Sequence, residues 1–88
     1  IVLKGKGELY SDTEKSIAQM YSMVLDMQEL DLYESFSAMG GDSIMATQLL
    51  KLINQQYPDI VDISDIFTYS SVVELSEYID KQLNKDHQ

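Results

Sequence analysis

Three apolar stripes at helical spacing constrain this chain most. Ile17, Met20, Tyr21 and Val24 recur at i, i+3, i+4 and i+7. Ala46, Leu49, Leu50, Ile53 and Tyr57 follow the same rhythm, and Val72, Leu75, Ile79 and Leu83 form a third stripe. Each stripe needs a partner to bury it, and 88 residues suit one domain. No strand alternation, hairpin dipeptide or internal repeat competes with this pattern. The expected architecture is all-α: a small bundle of three main helices and one short one, with a long loop after the first.

Local signals set the boundaries. Ser11 with Glu14 fits a capping box and opens a helix over residues 12 to 26. The second helix is predicted from Ser43 to about Tyr57, because Pro58 disfavours helical geometry in the residue before it. Residues 63 to 69, ISDIFTY, predict one short turn of helix. Ser71 with Glu74 makes another capping pair and opens the last helix, residues 71 to 83. The connection MQELDLYESFSAMGGD, residues 27 to 42, is too apolar at Leu30, Leu32 and Phe36 for a solvated loop. These three should pack across the helix ends, with Phe36 as anchor. Tyr21, Tyr57 and Tyr78 predict a filled core. Residues 1 to 10 read as a linker from a preceding domain, 11 to 84 as the folded domain, and 85 to 88 as a tail. A start at Ile1 without Met reads as a piece of a longer chain.

Composition excludes several functions. The chain has no Cys, so neither a disulfide scaffold nor a thiolate metal site is available. Its single His, His87, lies in the tail, so no His-based catalytic or metal cluster is expected. Fifteen acidic against six basic residues give a net charge of −9, which repels phosphate backbones and anionic membranes. Neither nucleic acid nor membrane is an expected partner. No apolar run reaches spanning length and no secretory signal opens the chain, so the expected location is cytoplasmic.

The stretch Gly40-Gly41-Asp42-Ser43-Ile44 places a serine between a glycine turn and a helix. A serine nucleophile needs a base, and the domain offers no His. A phosphate loop of the GxxxxGK[ST] type is absent, and Asp31, Glu34 and Asp42 lack the spacing of a calcium loop. Ser43 therefore reads as a residue that is acted upon. A phosphoryl group attached there would face unpaired backbone N–H groups and the positive end of the helix dipole. Asp42 would repel such a phosphate, which suggests that it serves a modifying enzyme. The plainer reading is that Asp42 or Ser43 only caps the second helix. Ile44 is an apolar residue on the face, with Thr47, Gln48, Lys51 and Gln55, that should meet water.

LYESFSAMGGDSIMATQLLKLI resembles the attachment region of phosphopantetheine-dependent carrier domains, a family of small four-helix bundles. The resemblance runs from about Thr13 to Leu83. The family motif, Asp-Ser and an aliphatic residue after glycine, matches Gly41, Asp42, Ser43 and Ile44. The doubled glycine looks more like peptidyl carriers of nonribosomal peptide synthetases than acyl carriers of polyketide synthases. Met39 stands where leucine is commoner.

The resemblance implies a non-catalytic domain with 4′-phosphopantetheine, taken from coenzyme A, attached to Ser43. It implies a phosphopantetheinyl transferase using Mg²⁺, with Asp42 and Gly41 beside the attachment point. It further implies adjacent synthase domains as partners: adenylation, condensation or ketosynthase, and thioesterase or tailoring enzymes. The excised domain is expected to be monomeric. Met39, Ile44, Thr47, Gln48 and Lys51 would form a partner surface, with Ile66 and Phe67 as a second patch. Core packing competes for both of the latter, above all for Phe67. The alternative function is an acidic helical interaction module without a prosthetic group. Ordinary phosphorylation of Ser43 is a third reading, but it needs no glycine pair.

Overall fold

A computed structural model describes residues 1 to 5 and 10 to 85. The element order is β1 (Val2–Lys4), α1 (Asp12–Leu25), β2 (Glu29–Asp31), α2 (Ser43–Gln56), α3 (Ile63–Thr68) and α4 (Val72–Lys85). The helices form where the stripes predict them, each within about two residues. His87 lies outside the described residues.

Each helix begins on a side-chain cap. Ser11 Oγ accepts from Glu14 N–H at 3.0 Å, and the Glu14 carboxylate accepts from Ser11 N–H at 2.8 Å. Ser71 Oγ accepts from Glu74 N–H at 3.1 Å, and its hydroxyl donates to the Glu74 carboxylate. Asp26 ends α1 in the left-handed region, with φ 55°, and its N–H bonds to Ser22 O. The short α3 has a reciprocal box that the sequence reading missed, between Asp62 and Asp65.

The hydrogen bond from Ser64, with the Asp65 N–H next, holds the Asp62 carboxyl below its ordinary range. A lowered folded-state value stabilises the fold above the ordinary carboxylate range. That contribution is lost as pH falls through the lowered value. Asp62→Asn is therefore expected to be less stable than wild type near pH 7. The gap should close toward pH 3, as read from urea midpoints across that range.

Polar bonds between helices set their directions. Thr13 Oγ1 donates to Asp80 Oδ1 at 2.7 Å, and Gln56 Nε2 donates to Ser16 Oγ at 3.1 Å. The first turns of α1 thus lie beside the last turns of α4 and α2, so α1 runs antiparallel to both. The end of α1 and the starts of α2 and α4 gather at the opposite end. The core is continuous through Ile17, Tyr21, Leu49, Ile53, Leu75 and Ile79, all fully buried. Leu30, Leu32 and Phe36 are buried too, so the long loop is part of the core.

The structure departs from expectation in three places. Val2–Lys4 and Glu29–Asp31 pair as a short parallel ladder where no strand was expected. Three-residue strands are too short to show alternation, and their pairing is a long-range contact. Leu50 and Tyr57 are half-buried, because Ala46, Leu49 and Ile53 take the centre of the α2 face. Of the three tyrosines expected in the core only Tyr21 fills it. Tyr78 is half-buried and stacks on Tyr69 at 4.5 Å.

Candidate functional site

The loop before α2 is built on Phe36. Its ring meets Tyr21 edge-on, with centroids 5.4 Å apart and planes at 74°. Its N–H donates to Ser70 O at 2.7 Å, and the Tyr21 hydroxyl donates to the same carbonyl at 3.1 Å. Burial, and secondarily the Glu74 charge, push the Tyr21 hydroxyl up from its ordinary value. It stays a neutral donor at any physiological pH. Phe36 O accepts from Gly41 N–H at 2.9 Å, closing the loop directly onto the residue before Asp42.

The two glycines have different reasons. Gly40 has φ +96°, which side-chain-bearing residues rarely adopt, yet a Cβ there would meet nothing within 4 Å. Gly41 has no such backbone demand. A Cβ on it would lie 2.7 Å from Phe36 Cζ and closer still to Cδ2 and Cε2. The Phe36 ring therefore packs flush against the Gly41 backbone.

Asp42 is the cap of α2. Its Oδ1 accepts from Met45 N–H at 2.9 Å and its carbonyl accepts from Ala46 N–H at 2.8 Å. Ser43 is the first helical residue and is exposed. Among the described residues its hydroxyl has no hydrogen-bond partner, while its carbonyl accepts from Thr47 Oγ1 at 3.0 Å. The capping alternative is thus divided: Asp42 caps and Ser43 does not.

The α2 side chains expected to meet water do so, whereas Met39 and the α3 residues divide between surface and core. Ile44 is 71% exposed, and Thr47, Gln48 and Lys51 are exposed beside it. Met39 is half-buried against the core. Ile66 is fully buried, so it presents no surface; Phe67 is 44% exposed, as a surface patch requires and the competing core reading does not. Consecutive helical residues point about 100° apart, so one six-residue helix cannot bury both. Ile63 was missed. It is 41% exposed and lies four residues before Phe67, hence on the same side of α3. That spacing was the available signal.

The residues that make chemistry elsewhere are not gathered here. Among the described residues no group of three or more His, Cys, Asp or Glu is placed to hold a metal ion. The surface clefts lined by Tyr69 and Lys81, by Met20 and Gln55, and by Glu14 and Ser76 do not include Ser43. No described helix is long and apolar enough to cross a membrane.

Comparison with known proteins decides what such an arrangement is. The phosphopantetheine attachment site family matches residues 15 to 79, which span α1 through most of α4. The chain belongs to that family. It is a phosphopantetheine carrier domain, and the group its family binds covalently is 4′-phosphopantetheine. It is 30% identical over 84 residues to surfactin synthase subunit 2 of Bacillus subtilis, covering 92% of this chain and 2% of that protein. It is 30% identical over 73 residues to bacitracin synthase 2 of Bacillus licheniformis, covering 82% and 3%. It is also 30% identical over 64 residues to the N-(5-amino-5-carboxypentanoyl)-L-cysteinyl-D-valine synthase of Penicillium chrysogenum, covering 70% and 2%. The carrier domain thus spans a few per cent of the length of these relatives. No solved structure matches it.

Proposed function

We propose that Ser43 is the attachment point and that the domain is a peptidyl carrier of a nonribosomal peptide synthetase. The observation that supports this most is the exposed Ser43 hydroxyl beside a cap made by its neighbour. Asp42 takes the Met45 N–H, so Ser43 is not needed to hold the helix and its oxygen is available. The phosphodiester fits there. Modification at Ser43 breaks no described hydrogen bond and adds negative charge at the favourable end of α2.

In loading, Ser43 Oγ attacks the β-phosphorus of coenzyme A. The Oγ–P bond forms, the pyrophosphate P–O bond breaks, 3′,5′-ADP leaves, and the hydroxyl proton passes to a base. In this reading the transferase supplies both the base and Mg²⁺. The bound group supplies a terminal thiol that holds acyl or aminoacyl cargo as a thioester. The chain itself has no Cys to compete for that cargo. Its own residues position the serine and present the surface. The domain performs no chemistry of its own; tethering raises the concentration of cargo at neighbouring active sites. The compartment of this reading is the cytoplasm, where coenzyme A is available. Ile44, Thr47, Gln48 and Lys51 on α2, with Phe67 and Ile63 on α3, are the proposed contact surface for transferase and adjacent synthase domains.

Intact mass tests the reading. The purified domain is incubated with coenzyme A, Mg²⁺ and a broad-specificity phosphopantetheinyl transferase. Wild type should gain one phosphopantetheine and Ser43→Ala none. Because Asp42 is the cap, Ser43→Ala should keep its stability within about 0.5 kcal/mol of wild type. A folded wild-type sample that gains no mass would favour the interaction module instead.

A further inference from the structure

The strand β1 precedes the four helices and pairs in parallel with β2. Val2 N–H donates to Gln28 O at 2.7 Å and Leu32 N–H donates to Lys4 O at 2.8 Å. Leu3 packs against the core, and its carbonyl accepts from the Tyr10 hydroxyl at 3.3 Å. Lys4 pairs with Glu29 across the ladder. β1 is therefore fastened to β2, ahead of the loop that carries Phe36, Gly41 and Asp42.

The fastening is small. Val2 and Lys4 are exposed, and only Leu3 between them turns inward. The Lys4–Glu29 pair has side chains 61% and 50% exposed, where an ion pair contributes little. A two-stranded ladder of this length is marginal without packing. The helix α1 packs directly on α2 and on α4.

We infer that β1 is a releasable strap, whose undocking lengthens the tether on any chain joined ahead of Ile1 while the bundle stays folded. Docked, the strap holds such a chain beside Gln28. Released, residues 1 to 5 alone add a reach of up to about 17 Å. The use of this reach rests on the carrier reading, because a carrier must bring one arm to several active sites. The strap itself is a property of the chain and stands or falls separately.

Amide exchange on the 88-residue domain tests it, since Leu32 N–H has its partner on the strap. In wild type the Leu32 amide should be protected, yet exchange at least tenfold faster than the amides of the buried Leu49 and Ile79. Leu3→Asp should speed Leu32 by a further tenfold or more, with Leu49 and Ile79 changed less than about twofold. Lys4→Glu, which faces Glu29 and leaves the core untouched, should shift Leu32 in the same direction. Leu32 exchanging as slowly as Leu49 would overturn the proposal, because the strap would then open only with the bundle. A Leu32 amide unprotected in wild type, or unmoved by both variants, would overturn it as well. Loading of Ser43 in Lys4→Glu, read by mass, should equal wild type. Loss of loading in wild type would count against the carrier reading and leave the exchange result intact.

Discussion

Gly41→Ala is expected to destabilise the domain by about 3 kcal/mol, and Gly40→Ala by only about 1 kcal/mol. The order reverses what backbone angles alone would say. Gly40 holds the left-handed conformation, φ +96°, but the space around it is open. Its substitution carries the backbone penalty and no clash. Gly41 has an ordinary backbone, but a methyl there collides with three carbons of the Phe36 ring. That ring is fixed by the edge contact with Tyr21 and by its own N–H bond to Ser70 O. It cannot swing aside without breaking the packing beneath the site. The strain falls one residue before the cap, so Gly41→Ala should also slow phosphopantetheine loading in the fully folded sample. Urea denaturation and initial loading rates of both variants test this. Phe36→Leu added to Gly41→Ala should restore part of the loss, because neighbouring substitutions that share a space are not additive. If Gly40→Ala proves the more damaging, Phe36 does not press on Gly41 and the site is held by backbone conformation instead.

The glycine pair shows where sequence reading is strong and where it stops. The helices were legible because a 3.6-residue period and Ser–x–x–Glu caps are local signals. At Ser43, elimination of bases, lysines and metal ligands left two readings, a residue that is acted upon and a helix cap. The division of labour between Gly40 and Gly41 was not legible. It depends on a ring five residues away in the chain and on the Tyr21 contact that holds it. The same limit hid β1, whose partner strand lies beyond the whole of α1. It also left Ile66 and Phe67 undivided between surface and core. Pattern alone gives two apolar residues in a short helix, while the direction in which α3 docks decides that Ile66 goes in and Phe67 stays out. Asp42 had two plausible employments in the sequence, cap and partner of a modifying enzyme. The 2.9 Å bond to Met45 N–H shows the first and leaves Ser43 free of it.

Phe36→Ala should be the most damaging single truncation near the site, at about 3–5 kcal/mol. A domain of this size has a total stability on the order of 5–15 kcal/mol, so the change threatens folding at physiological temperature. In thermal terms the loss is roughly 15–30 °C of Tm. Two effects combine. The truncation leaves a cavity between Tyr21 and the loop, and it removes the edge contact, worth about 0.5–1.5 kcal/mol. The backbone bonds of Phe36 to Ser70 and Gly41 survive in principle, because they use N–H and C=O. They lose the packing that keeps water from them. The site then responds separately from the fold. At low temperature, where Phe36→Ala is still folded, α2 should keep its helicity because Asp42 caps it independently. Loading of Ser43 should nevertheless fall, because the approach to Asp42 is no longer set by the ring. Circular dichroism melting and loading rates at 10 °C separate the two effects. A variant that loses stability as stated but loads at the wild-type rate would make Phe36 a core residue only. The position of Ser43 would then be determined by the Asp42 cap and α2 alone.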